Sequence, residues 1–384
     1  MPHLYRALGF MSGTSLDGID VALIDTDGGT YVKPLAFAYY PYDETLRTRI
    51  RACFGARTKS QMTDAAEQAL TTAHITAAKT FLATHALSPA EIDLIGFHGQ
   101  TITHDPDNHF TWQLGDGARL AKETGIPVVY DFRSADVAAG GQGAPLIPIY
   151  HWARVRSAQL TAPVAVLNIG GVANVTWLGQ DDGDILAFDC GPGNALIDDK
   201  VLTATGQRFD TDGAIARSGT IDPDILSLWL SHPFFAQKPP KSLDREAWNT
   251  QMIARHSVPD AVATLTAFTV EAIAKATDYF PAPVTAWYVT GGGRLNTAIM
   301  TGLEAALRTQ VRPVDDLGWN GDALEAEGFA YLAVRSLLGL PLPNALRNFL
   351  NRASSSFLLL GGPPHGLPPP LLPGSFQAIS VSER

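Results

Sequence analysis

The stretch Gly9-Phe10-Met11-Ser12-Gly13-Thr14-Ser15-Leu16-Asp17-Gly18-Ile19-Asp20-Val21-Ala22-Leu23 changes pattern twice. An apolar run from Ala7 to Met11 stops at Ser12-Gly13-Thr14-Ser15, and alternation resumes with Ile19, Val21 and Leu23. The pattern predicts two strands joined by a tight polar turn. Gly13 and Gly18 admit backbone conformations that other residues resist. Thr14 and Ser15 contribute hydroxyls, and Asp17 contributes a carboxylate. Such a turn can wrap phosphate oxygens with N–H groups and place an acid near Mg²⁺. It equally suits a strand connection that binds nothing. It is neither a Walker loop nor a G-x-G-x-x-G fingerprint.

Working outward, Pro34 to Tyr42 reads as a third strand, followed by helical spacing over 43–54 and 60–86. Leu94 to Phe97 predicts a short buried strand ending at His98-Gly99-Gln100. Phe110 to Leu114 and Ile126 to Tyr130 predict two more strands, with a helix over 116–124. A Gly-rich segment, Ala138 to Leu146, is the expected crossing between domains. A second strand–loop–strand unit then echoes the first: Val164 to Asn168, the turn Gly170-Gly171, and Val172 to Leu178. Ile185 to Phe188 leads into Asp189-Cys190-Gly191-Pro192-Gly193-Asn194 and a helix from Ala195. Helical patterns cover 258–279 and 322–338, and Thr285 to Val289 is a strand ending in Thr290-Gly291-Gly292-Gly293, with a helix from Leu295. Strands and then alternating helices, given twice, predict a duplicated mixed α/β architecture with a cleft between its halves.

The chain has 384 residues, which suits two domains, and a hydrophobic share of 46% is enough for large cores. A formal charge of −10 argues against non-specific nucleic-acid binding. Cys53 and Cys190 form neither a metal-ligand pattern nor a disulfide framework, which suits a reducing cytoplasm. Asp17 and Asp20 interrupt any secretory signal pattern, and no apolar run is long enough to span a membrane.

Three Gly-rich loops, at 13–18, 170–171 and 291–293, each follow an apolar strand, and strand ends of this kind bind ligands in α/β sheets. Together they favour a nucleotide. Asp189 precedes a Gly-Pro-Gly turn and suits a general base on a hydroxyl or water. An ordinary turn or N-cap aspartate fits the same residues. His98, Gln100, Arg133, Asp136 and Gln142 cluster near predicted strand ends and offer the mixed donors and acceptors a sugar needs. Glu325 stands near the start of the last helix. His104, His109 and His151 show no metal-ligand spacing.

Six ordered motifs then resemble one family. They are Met11 to Asp20, Gly96 to Thr101, Asp131-Phe132-Arg133, Gly140 to Leu146, Asn168 to Gly171 and Phe188 to Asn194. Over residues 7–341 the chain resembles the anhydro-N-acetylmuramic acid kinases. The resemblance implies the actin-like ATPase fold: two RNase-H-like domains, with mixed sheets flanked by helices, around an ATP cleft. The corresponding domains are 1–135 and 136–341. It also implies a cytoplasmic homodimer acting in cell-wall recycling, with ATP and Mg²⁺. Gly13, Thr14, Ser15, Leu16, Asp17, Gly18, Ile19 and Asp20 match the family's phosphate loop, with Asp17 reaching Mg²⁺ through water. Gly170, Gly171, Asn174, Gly291, Gly292 and Gly293 complete the expected nucleotide site. Asp189 matches the base that activates water, and His98, Gln100, Arg133, Asp136 and Glu325 are the expected sugar ligands. An actin- or chaperone-like ATPase and a kinase for another amino sugar are the competing readings; the 96–101 and 140–146 segments and Asp189 speak against the first. After Pro341 the sequence departs from the family pattern, and the Ser-, Leu- and Pro-rich stretch 342–384 is expected to form no regular domain.

Overall fold

The computed structural model describes residues 3–181, 183–243, 248–340 and 358–360. β1 (Tyr5–Ser12), β2 (Gly18–Thr26) and β3 (Val32–Pro41) form an antiparallel meander. β4 (Leu94–Asp105) lies parallel to β1, and β5 (Phe110–Leu114) returns antiparallel along the second half of β4. β6 (Val128–Tyr130) lies parallel to β4. The second sheet repeats this course. β7 (Val164–Ile169), β8 (Val172–Leu178) and β9 (Ile185–Pro192) form a meander. β10 (Ala286–Thr290) is parallel to β7, and β11 (Gln310–Pro313) is parallel to β10. Leaving aside β5 and β12 (Leu358–Leu360), which the first sheet adds, three antiparallel strands followed by two parallel ones is the RNase-H-like order, and it occurs twice. The fold is α/β, with two mixed sheets accompanied by helices.

The helices α1 (Glu44–Arg51), α2 (Gln61–Thr84), α3 (Gly117–Thr124), α4 (Ser134–Ala138) and α5 (Pro148–Ser157) accompany the first sheet. α6 (Ala195–Thr205), α7 (Ala214–Ser218), α8 (Pro223–Leu230), α9 (Val258–Ala274) and α10 (Thr297–Leu307) accompany the second. α11 is Leu324–Leu337. Their starts follow local chemistry. Asp43 accepts the Leu46 N–H at 2.7 Å, Ser60 and Thr63 close a capping box, and Asp116 caps α3.

The chain forms two compact units, one of residues up to Gln159 plus those from Ala323, the other Leu160–Asp322. This differs from the boundaries 135/136 and 341/342 drawn from sequence. The Gly-rich 138–146 segment is not the crossing. α5 follows it within the first unit, where Ser157 Oγ donates to the Val32 carbonyl at 3.2 Å. α11 also returns to the first unit, because glycines on adjacent strands admit it. A Cβ on Gly9 would lie 1.8 Å from the Ala326 carbonyl oxygen, and one on Gly96 would lie 2.1 Å from that of Phe329. Gly9 and Gly96 are register partners on β1 and β4, so together they seat the helix.

Two strands run further than their sequence patterns suggest. β4 continues through His98, Gly99 and Gln100 because β5 pairs with its second half. β9 continues through Asp189, with a register shift opposite Ala173 and Asn174. The 258–279 helix is α9 followed by a 3-10 turn at Lys275–Tyr279. In the 342–384 stretch, expected to form no regular domain, Leu358–Leu360 forms strand β12 against β6; its other residues lie outside those described.

Candidate active site

In the second unit, Asp189 sits within β9 opposite Asn174, beside the register shift. Its backbone N–H donates to the Lys241 carbonyl at 3.1 Å, and its Oδ2 accepts the Leu243 N–H at 2.8 Å. The 241–243 strap therefore fixes one carboxylate oxygen. Burial pushes the Asp189 carboxyl from 3.8 up to about 6, against the opposing pull of the Leu243 N–H and the Lys241 charge. It caps no helix: Asn194, not Asp189, stands at the α6 N-cap position. A carboxylate held by one oxygen, with a pKa moved towards neutrality, is equipped to take a proton.

The glycine turns of the same unit converge. Asn194 N–H donates to the Gly170 carbonyl at 2.7 Å, and Gly193 N–H donates to that of Gly171 at 2.9 Å. Asn194 Nδ2 donates to the Ile169 carbonyl at 2.9 Å. Gly291 has φ +75°, and a Cβ there would meet Asn168 Oδ1 at 2.4 Å; one on Gly293 would meet Ile169 at 2.4 Å. Packing alone thus requires glycine at those two positions. Gly170, Gly171 and Gly292 differ, since an added Cβ would find no atom closer than 3.7, 3.6 and 3.5 Å respectively. Nothing in the fold requires glycine there. An added Cβ would make only ordinary van der Waals contact at these three, and bare backbone of this kind is what a close-lying nucleotide needs, so these residues fit an ATP site. Asn174 lies half-buried on the neighbouring β8.

In the first unit, the β1–β2 turn closes with Leu16 N–H on the Gly13 carbonyl at 3.2 Å, Leu16 taking a left-handed φ of 59°. Leu16 is buried and anchors the turn, while Thr14, Ser15 and Asp17 are exposed. Gly13 is open, its nearest neighbour to an added Cβ being Ser15 Oγ at 3.6 Å. Gly18 is structural instead: a Cβ there would meet the Tyr40 carbonyl oxygen at 2.3 Å. Ile19 and Asp20 belong to β2, with Ile19 in the core. The turn thus presents hydroxyls, backbone and one carboxylate, the donor set expected around phosphate and hydrated Mg²⁺. Among the described residues no cluster of three His, Cys, Asp or Glu side chains could hold a metal alone.

The expected sugar ligands divide into three sets. His98 is buried, and its Nε2 accepts from Arg133 Nε at 3.2 Å and Nη2 at 3.0 Å. Burial and the Arg133 charge hold the His98 pKa well below its usual value, so the ring is neutral. Arg133 Nη1 donates to the Gly143 carbonyl at 2.7 Å. Burial lowers the Arg133 pKa to about 10 against the opposing charge of Glu325, which faces it from α11. His98, Arg133 and Glu325 therefore form one electrostatic group. Asp136 turns inward, accepting the Gly143 N–H at 2.6 Å, and it shapes the 136–143 loop that carries the Arg133 acceptor. Gln100 is fully buried and donates to the Gly13 carbonyl at 3.0 Å, tying β4 to the phosphate-type turn.

The sequence did not single out Lys241, Leu243 or Arg294. Arg294 is buried, pairs with Asp315 at 2.9 Å and Asp322 at 2.8 Å, and donates to the Gly291 carbonyl at 3.0 Å. A basic residue directly after Gly-Gly-Gly was the available signal. Lys241 and Leu243 reach Asp189 from a distant segment, and no local pattern announces them.

A family model described as anhydro-N-acetylmuramic acid kinase matches residues 5–354. The anhydro-N-acetylmuramic acid kinase of Rhizorhabdus wittichii is 51% identical over 87% of this chain and 92% of its own. That of Zymomonas mobilis is 50% identical over 88% of this chain and 94% of its own. Among solved structures, an activator of 2-hydroxyisocaproyl-CoA dehydratase from Clostridium difficile with bound ADPNP is similar at TM-score 0.42 and 12% identity, covering 86% of this chain and 96% of that one.

Proposed function

Since the chain belongs to the anhydro-N-acetylmuramic acid kinase family and is a phosphotransferase acting on a hydroxyl group, we propose that it opens 1,6-anhydro-N-acetylmuramic acid with water and phosphorylates O6. The products are N-acetylmuramic acid 6-phosphate and ADP. Asp189 takes a proton from water as the water oxygen bonds to C1. The C1–O6 bond breaks with its electron pair on O6. O6 then bonds to the γ-phosphorus of ATP, and the bond to the ADP oxygen breaks. The arrangement follows inverting glycoside hydrolysis, in which a carboxylate activates water opposite the leaving oxygen. Here the leaving oxygen becomes the phosphoryl acceptor.

The observation that carries this reading is the state of Asp189. Its pKa of about 6 leaves it ionised at neutral pH yet basic enough to accept a proton, and the strap leaves Oδ1 for water. Gly13, Thr14 and Ser15 contact the ATP phosphates, and Gly170, Gly171 and Gly292 admit the nucleotide close to the backbone. Mg²⁺, when bound, neutralises phosphate charge, with Asp17 holding it through water. Arg133 and Glu325 bind the sugar, with His98 orienting Arg133. Asp136 and Gln100 act by holding loops. The reaction belongs to cell-wall recycling in the cytoplasm, carried out by a homodimer.

A coupled ADP-release assay tests the reading with three acceptors: the anhydro sugar, its hydrolysed form and a neutral sugar. ATP-dependent release with the anhydro sugar, and little with the others, is the expected result. No release above background with that sugar, while ATP still binds, would contradict it.

A further inference from the structure

Lys241 lies in a cage of ring faces. Its Nζ is 4.5 Å from the Phe234 ring centre, 4.5 Å from that of Tyr279 and 5.6 Å from that of Phe188, and it donates to the Phe234 carbonyl at 3.3 Å. The cage is itself pinned. Tyr279 donates its hydroxyl to the Phe235 carbonyl, and its ring meets Phe188 edge-on at 5.8 Å. Ring faces attract a cation and compensate part of its lost hydration. Phe188 immediately precedes Asp189, so the ammonium is held against the strand that carries the carboxylate. The Lys241 carbonyl accepts the Asp189 N–H, and two residues on, the Leu243 N–H donates to Asp189 Oδ2.

We propose that Lys241 is a positioning residue for Asp189: its caged ammonium locks the 241–243 strap onto β9 and supplies the positive charge beside the carboxylate. The inference rests on the reading of Asp189 as the base. A plain packing lysine needs neither a three-ring cage nor a backbone tie to the acid. The charged or titratable groups facing Lys241 are Asp189 and Cys190 from β9 and Asp278 from the 275–279 turn, with Tyr279 in the cage wall. Burial raises the Asp189 pKa and Lys241 lowers it, so removing the charge moves it further up.

The test is the pH dependence of kcat at saturating anhydro sugar and ATP, for wild type, Lys241→Met, Lys241→Arg and Asp189→Asn. Lys241→Met is expected to move the acid midpoint upward by about half a unit to one unit. Lys241→Arg keeps the cation and restores the midpoint. If Lys241→Met does not fold, Lys241→Gln gives the same reading. An unmoved midpoint in a folded neutral variant, with Asp189→Asn inactive, overturns the role of Lys241 and leaves the base in place. Turnover retained by Asp189→Asn overturns the base itself, and this inference with it.

Discussion

The two sheets follow the same course but carry opposite chemistry. In the first unit the strand ends gather a cation: Arg133 on His98 Nε2, with Glu325 facing it. In the second they gather an acid, Asp189, restrained by a strap and a caged lysine. Their first turns differ in the same way. The β1–β2 turn is long and rich in hydroxyls, whereas the β7–β8 turn is two bare glycines. The duplicated topology supplies equivalent positions, and the side chains on them set what each half does.

The contrast yields predictions, starting with the largest effect. Asp189→Asn should lower kcat by about a hundred- to ten-thousand-fold, the usual share of a general base, with ATP binding by calorimetry kept. The same variant should melt no lower than wild type at neutral pH. A carboxyl whose folded pKa is raised to about 6 costs the fold stability above 3.8, fully so above 6, and asparagine removes that cost. Next, Arg133→Met should reduce kcat/KM for the sugar by about ten- to a hundredfold, leaving KM for ATP near wild type, because a charge-assisted donor is lost. An equal rise in both KM values would contradict Arg133 as a ligand of the sugar rather than of ATP.

The glycines provide a paired test. Gly171→Val should weaken ATP binding by about tenfold with little change in melting temperature. Gly18→Ala should do the reverse, since its Cβ would collide with the Tyr40 carbonyl, and overpacking of this kind costs about 1–3 kcal/mol. The smallest effect is expected of Asp17→Asn, a raised Mg²⁺ requirement in the ADP-release assay, because a carboxylate acting on Mg²⁺ through water would contribute less than a direct ligand.

Much of this was legible in sequence because alternation and glycine turns are local. Ala7 to Leu23 and Val164 to Leu178 announced both meanders, and Gly-Pro-Gly marked Asp189. What was not legible depends on distant contacts. β11, Gln-Val-Arg-Pro, is an edge strand too short and polar to alternate. The unit boundary moved because α11 packs on Gly9 and Gly96, a match visible only once β1 and β4 are paired. Gln100 and Asp136 have the expected residue types, but their partners are backbone groups of neighbouring loops. The Lys241 strap reaches Asp189 across long sequence separation, so no window of sequence contains both.

The central claim is that Asp189 is the base, and the single-turnover rate of ADP formation from the anhydro sugar, measured as pH falls, tests it most directly. The rate should drop as pH passes through about 6, where the carboxyl gains a proton and can no longer accept one from water. A rate that holds level through that range, and declines only near about 4 where an ordinary exposed aspartate titrates, would contradict the account.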